Sequence, residues 1–187
     1  SSGKQGYAIA ETLQSLGAKT TLVSGPTSLA EPNVEQVIKV NSADQMLEAC
    51  ESSLPADIAV CAAAVADYKI ANKEIAKIKK DGSRQNIILE ENPDILERLS
   101  KRNHLRPKLV VGFAAETSNL ERNSDEKLNK KGCDWVLGNN VSENSIFNQD
   151  TNKIYFTSKL YSENWELMTK KEVAKKLCQK ISLHLNN

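Results

Sequence analysis

The chain has 187 residues, which is enough for one domain with a full hydrophobic core. Its net charge of +1 gives no electrostatic signal for binding nucleic acid or an anionic membrane, and no apolar run is long enough to span a bilayer. Four scattered cysteines without a CxxC pair favour reduced thiols in a cytoplasmic protein over a disulfide framework, and two distant histidines do not suggest a zinc site.

The first third of the chain predicts alternating helices and strands. It opens with SSGKQG, a loop-to-helix junction without a preceding strand, so we expect the first strand of the fold to be missing upstream. Apolar spacing predicts a helix at residues 7–16, which Gly17 closes. The next predicted elements are strands at 19–24 and 34–40, a helix from the Ser42 cap to about Ser52 with Met46, Leu47 and Cys50 on its inner face, and a buried strand from Ile58.

The rest of the chain continues this alternation. Residues 68–88 predict a two-stranded arm that stands off the sheet, and Asn92-Pro93-Asp94 predicts a helix start with Asn92 as its cap. The later predicted elements are a fully buried strand at 109–113, a helix from a capping box at Ser118 and Glu121 to about Lys131, a strand ending at Asn139 and Asn140, a hairpin around 148–152, a strand at 161–167, and a helix at 170–185 whose inward residues are Val173, Ala174, Leu177, Ile181 and Leu185.

Strands that alternate with helices, without repeats or linkers, predict a single domain over residues 1–187. The expected architecture is an α/β fold with a doubly wound, mostly parallel sheet. In such folds ligands bind at the carboxyl ends of the strands. Residues that directly follow a predicted strand are therefore the stronger candidates for ligand binding.

Residues just beyond the strand that begins at position 58 carry the first candidate chemistry. Positions 61–64 are four small residues, which let a flat ligand approach the backbone. Asp67 is the next acid, and a cluster of lysines follows at Lys77, Lys79 and Lys80. One acid and several cations suit a phosphorylated, metal-bound ligand. A core strand followed by a solvated charged loop explains the same residues, and this stretch alone leaves both interpretations open.

The opening Gly3-x-x-Gly6 could hold an anion at a helix N-terminus, or could serve close packing of helix on strand. A dinucleotide-dependent oxidoreductase is disfavoured, because the end of the second strand carries Ser24-Gly25-Pro26 where a ribose-binding acid is required. Tyr155 and Lys159 have reductase spacing but fall in the predicted hairpin, so we interpret them as a surface coincidence.

Two further candidates lie near the same predicted edge. Lys127 and Lys131 are spaced i, i+4 and share one helical face, where they could reach a ligand or simply be solvated. Phe113, at a strand end, could stack on a base, although core packing is the more common role.

Taken together, these segments resemble the phosphopantothenate–cysteine ligase (phosphopantothenoylcysteine synthetase) family, in most bacteria the second half of a bifunctional coenzyme A biosynthesis flavoprotein. The motifs that carry the resemblance occur in order from end to end: SSGKQG, LVSGPTSL, CAAAVADY, KIKK, ENPDIL, VVGFAAET, the helix with Lys127 and Lys131, and FNQDTN. The combination is specific, although each motif alone is not.

The resemblance implies a Rossmann-like fold, a homodimer, and a CTP- and Mg²⁺-dependent ligation of 4′-phosphopantothenate to L-cysteine through an acyl-cytidylate, with release of pyrophosphate and CMP. It implies that Ala62 and Ala63 offer backbone to the cytidine, and that Asp67 and Lys77 are the catalytic residues, with Asp67 also at the metal. The other nucleotide-binding residues it implies are Asn92, Pro93, Asp94, Ile95, Phe113, Lys127 and Lys131, with Ser1, Ser2 and Gly3 in the phosphate loop.

The chain differs from the family pattern in two respects. The family's first strand and the Asn just ahead of SSGK are absent from this chain, and so is the flavin-dependent decarboxylase half, so no FMN is expected here. A non-catalytic nucleotide-binding module and a nicotinamide-dependent reductase are the alternative functions.

Overall fold

The computed structural model describes residues 2–71, 86–140 and 151–186. Within these residues the elements are α1 (Lys4–Ser15), β1 (Thr21–Ser24), β2 (Gln36–Lys39), α2 (Ala43–Ser52), β3 (Ile58–Cys61), β4 (Tyr68–Ile70), β5 (Leu89–Glu91), α3 (Ile95–Ser100), β6 (Leu109–Glu116), α4 (Leu120–Lys131), β7 (Trp135–Asn140), β8 (Thr151–Ser158), β9 (Ser162–Thr169) and α5 (Lys170–Leu185).

The central sheet has five strands in the order β3-β6-β7-β8-β9. Strands β3, β6 and β7 are parallel, whereas β8 and β9 are added antiparallel. Strands β1 and β2 form a separate parallel pair. This mixed α/β arrangement with a parallel centre is consistent with the predicted Rossmann-like class. Among the described residues, β1 and β3 each bond to a single neighbouring strand.

Both faces of the central sheet are covered, which explains the continuous apolar run of β6. Leu109 and Val111 point into a cluster with α1 and α5, whereas Val110 and Ala114 join a second cluster with α3 and α4. Between them, Gly112 lies so close to α3 that an added Cβ would be 2.6 Å from a Leu96 methyl carbon. The prediction of a fully buried strand at 109–113 is confirmed up to Gly112, and Phe113 is half-buried.

The base of the predicted arm is present. Strand β4 pairs antiparallel with β5, and Ala71 N–H donates to the Ile88 carbonyl. Residues 72–85 of the arm, including Lys77, lie outside the described residues. So do Ser1 and most of the predicted hairpin loop at 148–152, of which Thr151 and Asn152 belong to β8. Among the described residues, β8 also forms a hairpin with β9.

Two helix starts differ from the prediction. Asp94, rather than Asn92, caps α3, because its carboxylate accepts the Glu97 N–H at 2.9 Å. The predicted capping box of α4 is wrong: its N-cap is Asn119, which is left-handed at φ 51° and makes no side-chain cap bond. The Ser42 cap of α2 is confirmed, since its hydroxyl accepts from Gln45 N–H.

Burial also corrects several expectations. Strand β3 is only half-buried, because it lies at an edge of the central sheet in the described part of the chain. The three inner-face residues predicted for α2, Met46, Leu47 and Cys50, are likewise half-buried. Helix α5 has the predicted bounds, and of its five predicted inward residues all but Leu185, which is 43% exposed, are buried.

The four cysteines are unbridged, as predicted. No helix within residues 2–71, 86–140 and 151–186 is long and apolar enough to cross a membrane.

Candidate functional site

The small-residue loop after β3 is fastened to the Asn92-Pro93-Asp94 segment. Asn92 N–H donates to the Asp67 carbonyl at 2.8 Å, and the Asn92 side-chain amide donates to the Ala66 carbonyl at 2.9 Å. The predicted ligand residues Ala63 and Asp67 remain exposed, and Ala62 is half-buried. The loop therefore presents backbone and one carboxylate to solvent beside the start of α3.

Helix α4 is joined to the same segment by an ion pair. Lys131 Nζ lies 2.5 Å from Asp94 Oδ2 and 3.5 Å from Glu97 Oε2, and the Lys131 side chain is only 18% exposed. Burial opposes the ionisation of Asp94, but hydrogen bonds from Lys131 and from the Glu97 N–H outweigh it, so the pKa of this carboxyl lies below its ordinary value. The hydrogen bond to Asp94 is the main cause of a raised Lys131 pKa.

Lys127 lies one helical turn before Lys131, on the same face of α4. Its ammonium donates to the Phe113 main-chain carbonyl at 2.7 Å, which ties α4 to the carboxyl-terminal half of β6. The Phe113 ring packs against the buried cluster under α1 and α5, in agreement with the core role favoured by the sequence. Both lysines thus hold protein partners and are not simply solvated.

The start of α1 lies close to the small-residue loop after β3 and to the loop after β1. Gly3 has a left-handed φ of 76°, and the Thr27 hydroxyl donates to the Ser2 carbonyl at 3.1 Å, so the helix start lies against the loop that follows β1. An added Cβ at Gly6 would lie 3.9 Å from the Ala62 Cβ, an ordinary contact. Close packing therefore does not require glycine at position 6.

These contacts bring most of the predicted site residues to one rim, at the carboxyl ends of β3 and β6. The residues gathered there are Ala62, Ala63, Asp67, Asn92, Pro93, Asp94, Ile95, Phe113, Lys127 and Lys131, with Ser2 and Gly3 near Ala62. Contrary to the sequence interpretation, Tyr155 is not at the surface: its side chain is buried in β8, and its hydroxyl lies 3.4 Å from Asp125 Oδ1.

A cavity of about 340 Å³ adjoins this rim, and sequence reasoning missed it. It is lined by Gly25, Pro26, Val40, Asn41, Ser42, Ala43, Asp44, Met46, Ala64, Val65, Ala66, Lys69 and Asn92. Lys69 Nζ lies 2.6 Å from Asp44 Oδ2 and 3.5 Å from Glu90 Oε1, and the hydrogen bond to Asp44 is the main cause of a raised Lys69 pKa. The one feature of the sequence that could have indicated this cavity is the position of Lys69, two residues after the candidate ligand residue Asp67.

The family model described as the C-terminal domain of DNA/pantothenate metabolism flavoproteins matches residues 1–184. The chain belongs to this family. The chain is similar to the protein of Haemophilus influenzae named coenzyme A biosynthesis bifunctional protein CoaBC, to which it is 39% identical over 182 residues, 97% of this chain and 45% of that protein. The Vibrio vulnificus (strain YJ016) protein of the same name is 43% identical over 158 residues, 82% of this chain and 39% of that protein.

A crystal structure of the C-terminal domain of a CoaBC protein matches the whole chain at a TM-score of 0.79 and 34% identity, and the match covers 84% of that domain. The resemblance found in the sequence is thus confirmed at the level of family and fold. The chain spans less than half the length of the two curated relatives described above.

Proposed function

We propose that this family member acts in coenzyme A biosynthesis as the CTP-dependent ligase that joins 4′-phosphopantothenate to L-cysteine. The observation that carries the proposal is the hydrogen-bonded rim in which Asn92 holds the Asp67 loop and Asp94 holds Lys131. It lies at the carboxyl ends of parallel strands, where α/β folds bind ligands. The relatives' name, coenzyme A biosynthesis bifunctional protein, supports the pathway.

The first step activates the acid. A carboxylate oxygen of 4′-phosphopantothenate attacks the α-phosphorus of CTP, the bond from that phosphorus to the bridging oxygen breaks, and pyrophosphate leaves. Negative charge develops on the nonbridging and leaving oxygens, so nearby ammonium groups stabilise the transition state more than the ground state.

The second step forms the amide. The ammonium of cysteine loses a proton to solvent, and its nitrogen lone pair attacks the acyl carbonyl carbon. The bond from that carbon to the phosphate oxygen breaks, CMP leaves, and the nitrogen loses a second proton to solvent. Water must be kept away from the acyl-cytidylate, a task we assign to the arm that begins at β4 and carries Lys77.

Lys127 and Lys131 would bind the triphosphate by exchanging partners. In the structure Lys127 donates to a carbonyl and Lys131 to two carboxylates. A phosphate offers stronger acceptors than a carbonyl, so the exchange favours Lys127 most. The backbone of half-buried Ala62 and exposed Ala63 would face the cytidine, with Phe113 and residues 92–95 behind it.

Asp67 would hold Mg²⁺ together with the phosphates. Its carboxylate is exposed, and no group of three or more metal-ligating side chains occurs among the described residues. That donor set fits Mg²⁺, which keeps several waters and binds through one or two carboxylates plus substrate phosphates. The ion would supply charge neutralisation at the transferring phosphorus.

The remaining proposals follow from family membership. We infer a cytoplasmic homodimer, fused in the whole protein to a flavin-dependent decarboxylase domain, with no FMN held by residues 1–187 and no nucleic-acid or membrane partner.

The test uses the full-length natural protein. With CTP, Mg²⁺ and 4′-phosphopantothenate it should release pyrophosphate, and added L-cysteine should yield CMP and the amide. Lys77→Gln should slow turnover sharply, because a charge opposing the phosphates is lost. Calorimetric CTP binding without pyrophosphate release would instead favour a non-catalytic nucleotide-binding module, and enhanced NADH fluorescence would favour a reductase.

A further inference from the structure

The cavity beside the rim carries one charge of each sign. Lys69 and Asp44 are the charged residues that line it, and they form an ion pair at 2.6 Å between β4 and the first turn of α2. The Lys69 side chain is 25% exposed and that of Asp44 is 56% exposed, so both groups are within reach of a ligand. Glu90 Oε1, outside the lining, also lies 3.5 Å from Lys69 Nζ, so two carboxylates already share this ammonium, and the cavity does not suit a triphosphate or the phosphate end of an acid substrate.

The rest of the lining has a polar part, formed by Asn41, Ser42 and Asn92, and an apolar part that is suited to a small side chain. Pro26, Val40 and Met46 line it together with the small residues Ala64 and Ala66. At about 340 Å³ it lies at the lower end of the range of small-molecule sites, about 300–1,000 Å³. Its contents would be a small molecule with one short apolar group and two opposite charges.

The cavity also borders the proposed reaction centre. Asn92 lines the cavity and donates to the carbonyls of Ala66 and Asp67, so this residue contacts both the cavity and the loop that carries Asp67. A ligand in the cavity would lie against the loop that carries Asp67. Of the substrates of the ligation, the one that matches this position and these charges is a free amino acid, a zwitterion.

Resting on the proposed ligase function, we propose that this cavity binds the amino-acid substrate. Lys69 binds the α-carboxylate, Asp44 binds the α-ammonium, and the wall formed by Val40 and Met46 receives the thiol side chain. Each charge of the zwitterion would lie beside the opposite charge of the Lys69–Asp44 ion pair. Because the zwitterion has no net charge, its binding adds no net charge to the cavity. Asp44 and Lys69 thus bind the substrate directly and orient its amine towards the acyl carbonyl across Asn92.

The test separates the two steps in the full-length natural protein. Exchange of labelled pyrophosphate into CTP, with 4′-phosphopantothenate and without cysteine, reports the first step. Amide formation against L-cysteine concentration reports the second. We expect Lys69→Met and Asp44→Asn each to raise the KM for L-cysteine by about tenfold or more, because each removes one charge-assisted hydrogen bond. The exchange rate should stay at the wild-type value, and Lys69→Arg should restore most of the affinity.

Lys108→Met is the matched control. Lys108 also forms an ion pair, with Asp57 at 2.9 Å, but at the opposite, amino-terminal end of β3 and β6. Lys108→Met should leave both the pyrophosphate exchange rate and the KM for L-cysteine unchanged. Because the Asp44 side chain is the more exposed of the pair, Asp44→Asn provides the decisive measurement if Lys69→Met fails to fold.

Three outcomes would overturn the inference. An unchanged KM for L-cysteine in Asp44→Asn would remove the cavity from amino-acid binding. A loss of exchange in parallel with the rise in KM would mean that the ion pair supports the arm or holds the acid substrate. Wild-type protein without exchange activity would refute the ligase proposal itself, and this inference with it.

Discussion

Asp94→Ala tests the central contact of the rim, because this carboxylate has two separable roles. One oxygen accepts the Glu97 N–H at 2.9 Å and caps α3, while the other pairs with Lys131 at 2.5 Å. Loss of an N-cap costs about 1 kcal/mol. The Asp94 side chain is 40% exposed, so solvent screens the ion pair and its loss costs about another 1 kcal/mol.

We therefore expect Asp94→Ala to lower the free energy of unfolding by about 2 kcal/mol. Asp94→Asn keeps a capping oxygen and loses only the charge, so it should cost about 1 kcal/mol. Urea denaturation with a shared m-value measures both. Ser42→Ala is the control, because Ser42 caps α2 through its hydroxyl without an ion pair, and it should also cost about 1 kcal/mol.

The reasoning fails if Asp94→Asn is as destabilising as Asp94→Ala, since the cap would then contribute nothing measurable. It also fails if neither variant differs from wild type by more than about 0.5 kcal/mol, the usual range of a surface substitution.

Three further predictions follow from the same contacts. Gly112→Ala should destabilise the protein by about 1–3 kcal/mol, because the new Cβ would lie 2.6 Å from a leucine methyl carbon, whereas Gly25→Ala, with its nearest neighbour at 3.8 Å, should cost less in the same urea experiment. Lys127→Met should weaken CTP binding about tenfold in calorimetry, and exposed Lys130→Met should not; equal affinities would remove Lys127 from the nucleotide site. Folding lowers the Asp94 pKa from its ordinary 3.8, so the charged carboxylate stabilises the fold above pH 3.8, and this contribution is lost as the pH falls through the lower folded value. The difference between the urea midpoints of wild type and Asp94→Asn should therefore shrink as the pH falls through this range, and a difference that stays constant would contradict the prediction.

The rim and the fold differ in how far local patterns could predict them. Helix α5 was predicted to the residue, because apolar spacing and end signals are recorded within a few neighbouring positions. The partners of Lys127 and Lys131 could not be predicted, because Lys127 lies 14 positions after its partner Phe113 and Lys131 lies 37 positions after its partner Asp94. The same limit explains the cap of α3: the sequence offered Asn92 and Asp94 together, and only the path of the chain decided which side chain faced the Glu97 N–H.

By itself, the sequence determined the alternation of helices and strands, the buried centre of the sheet, and the family, because each of these follows from residue types in order along the chain. Tertiary structure alone decided that β3 is half-buried, that the α4 lysines already hold protein partners, and that Asp44 meets Lys69 beside Asn92. These are contacts between segments remote in sequence, and packing sets them only when the whole chain has folded.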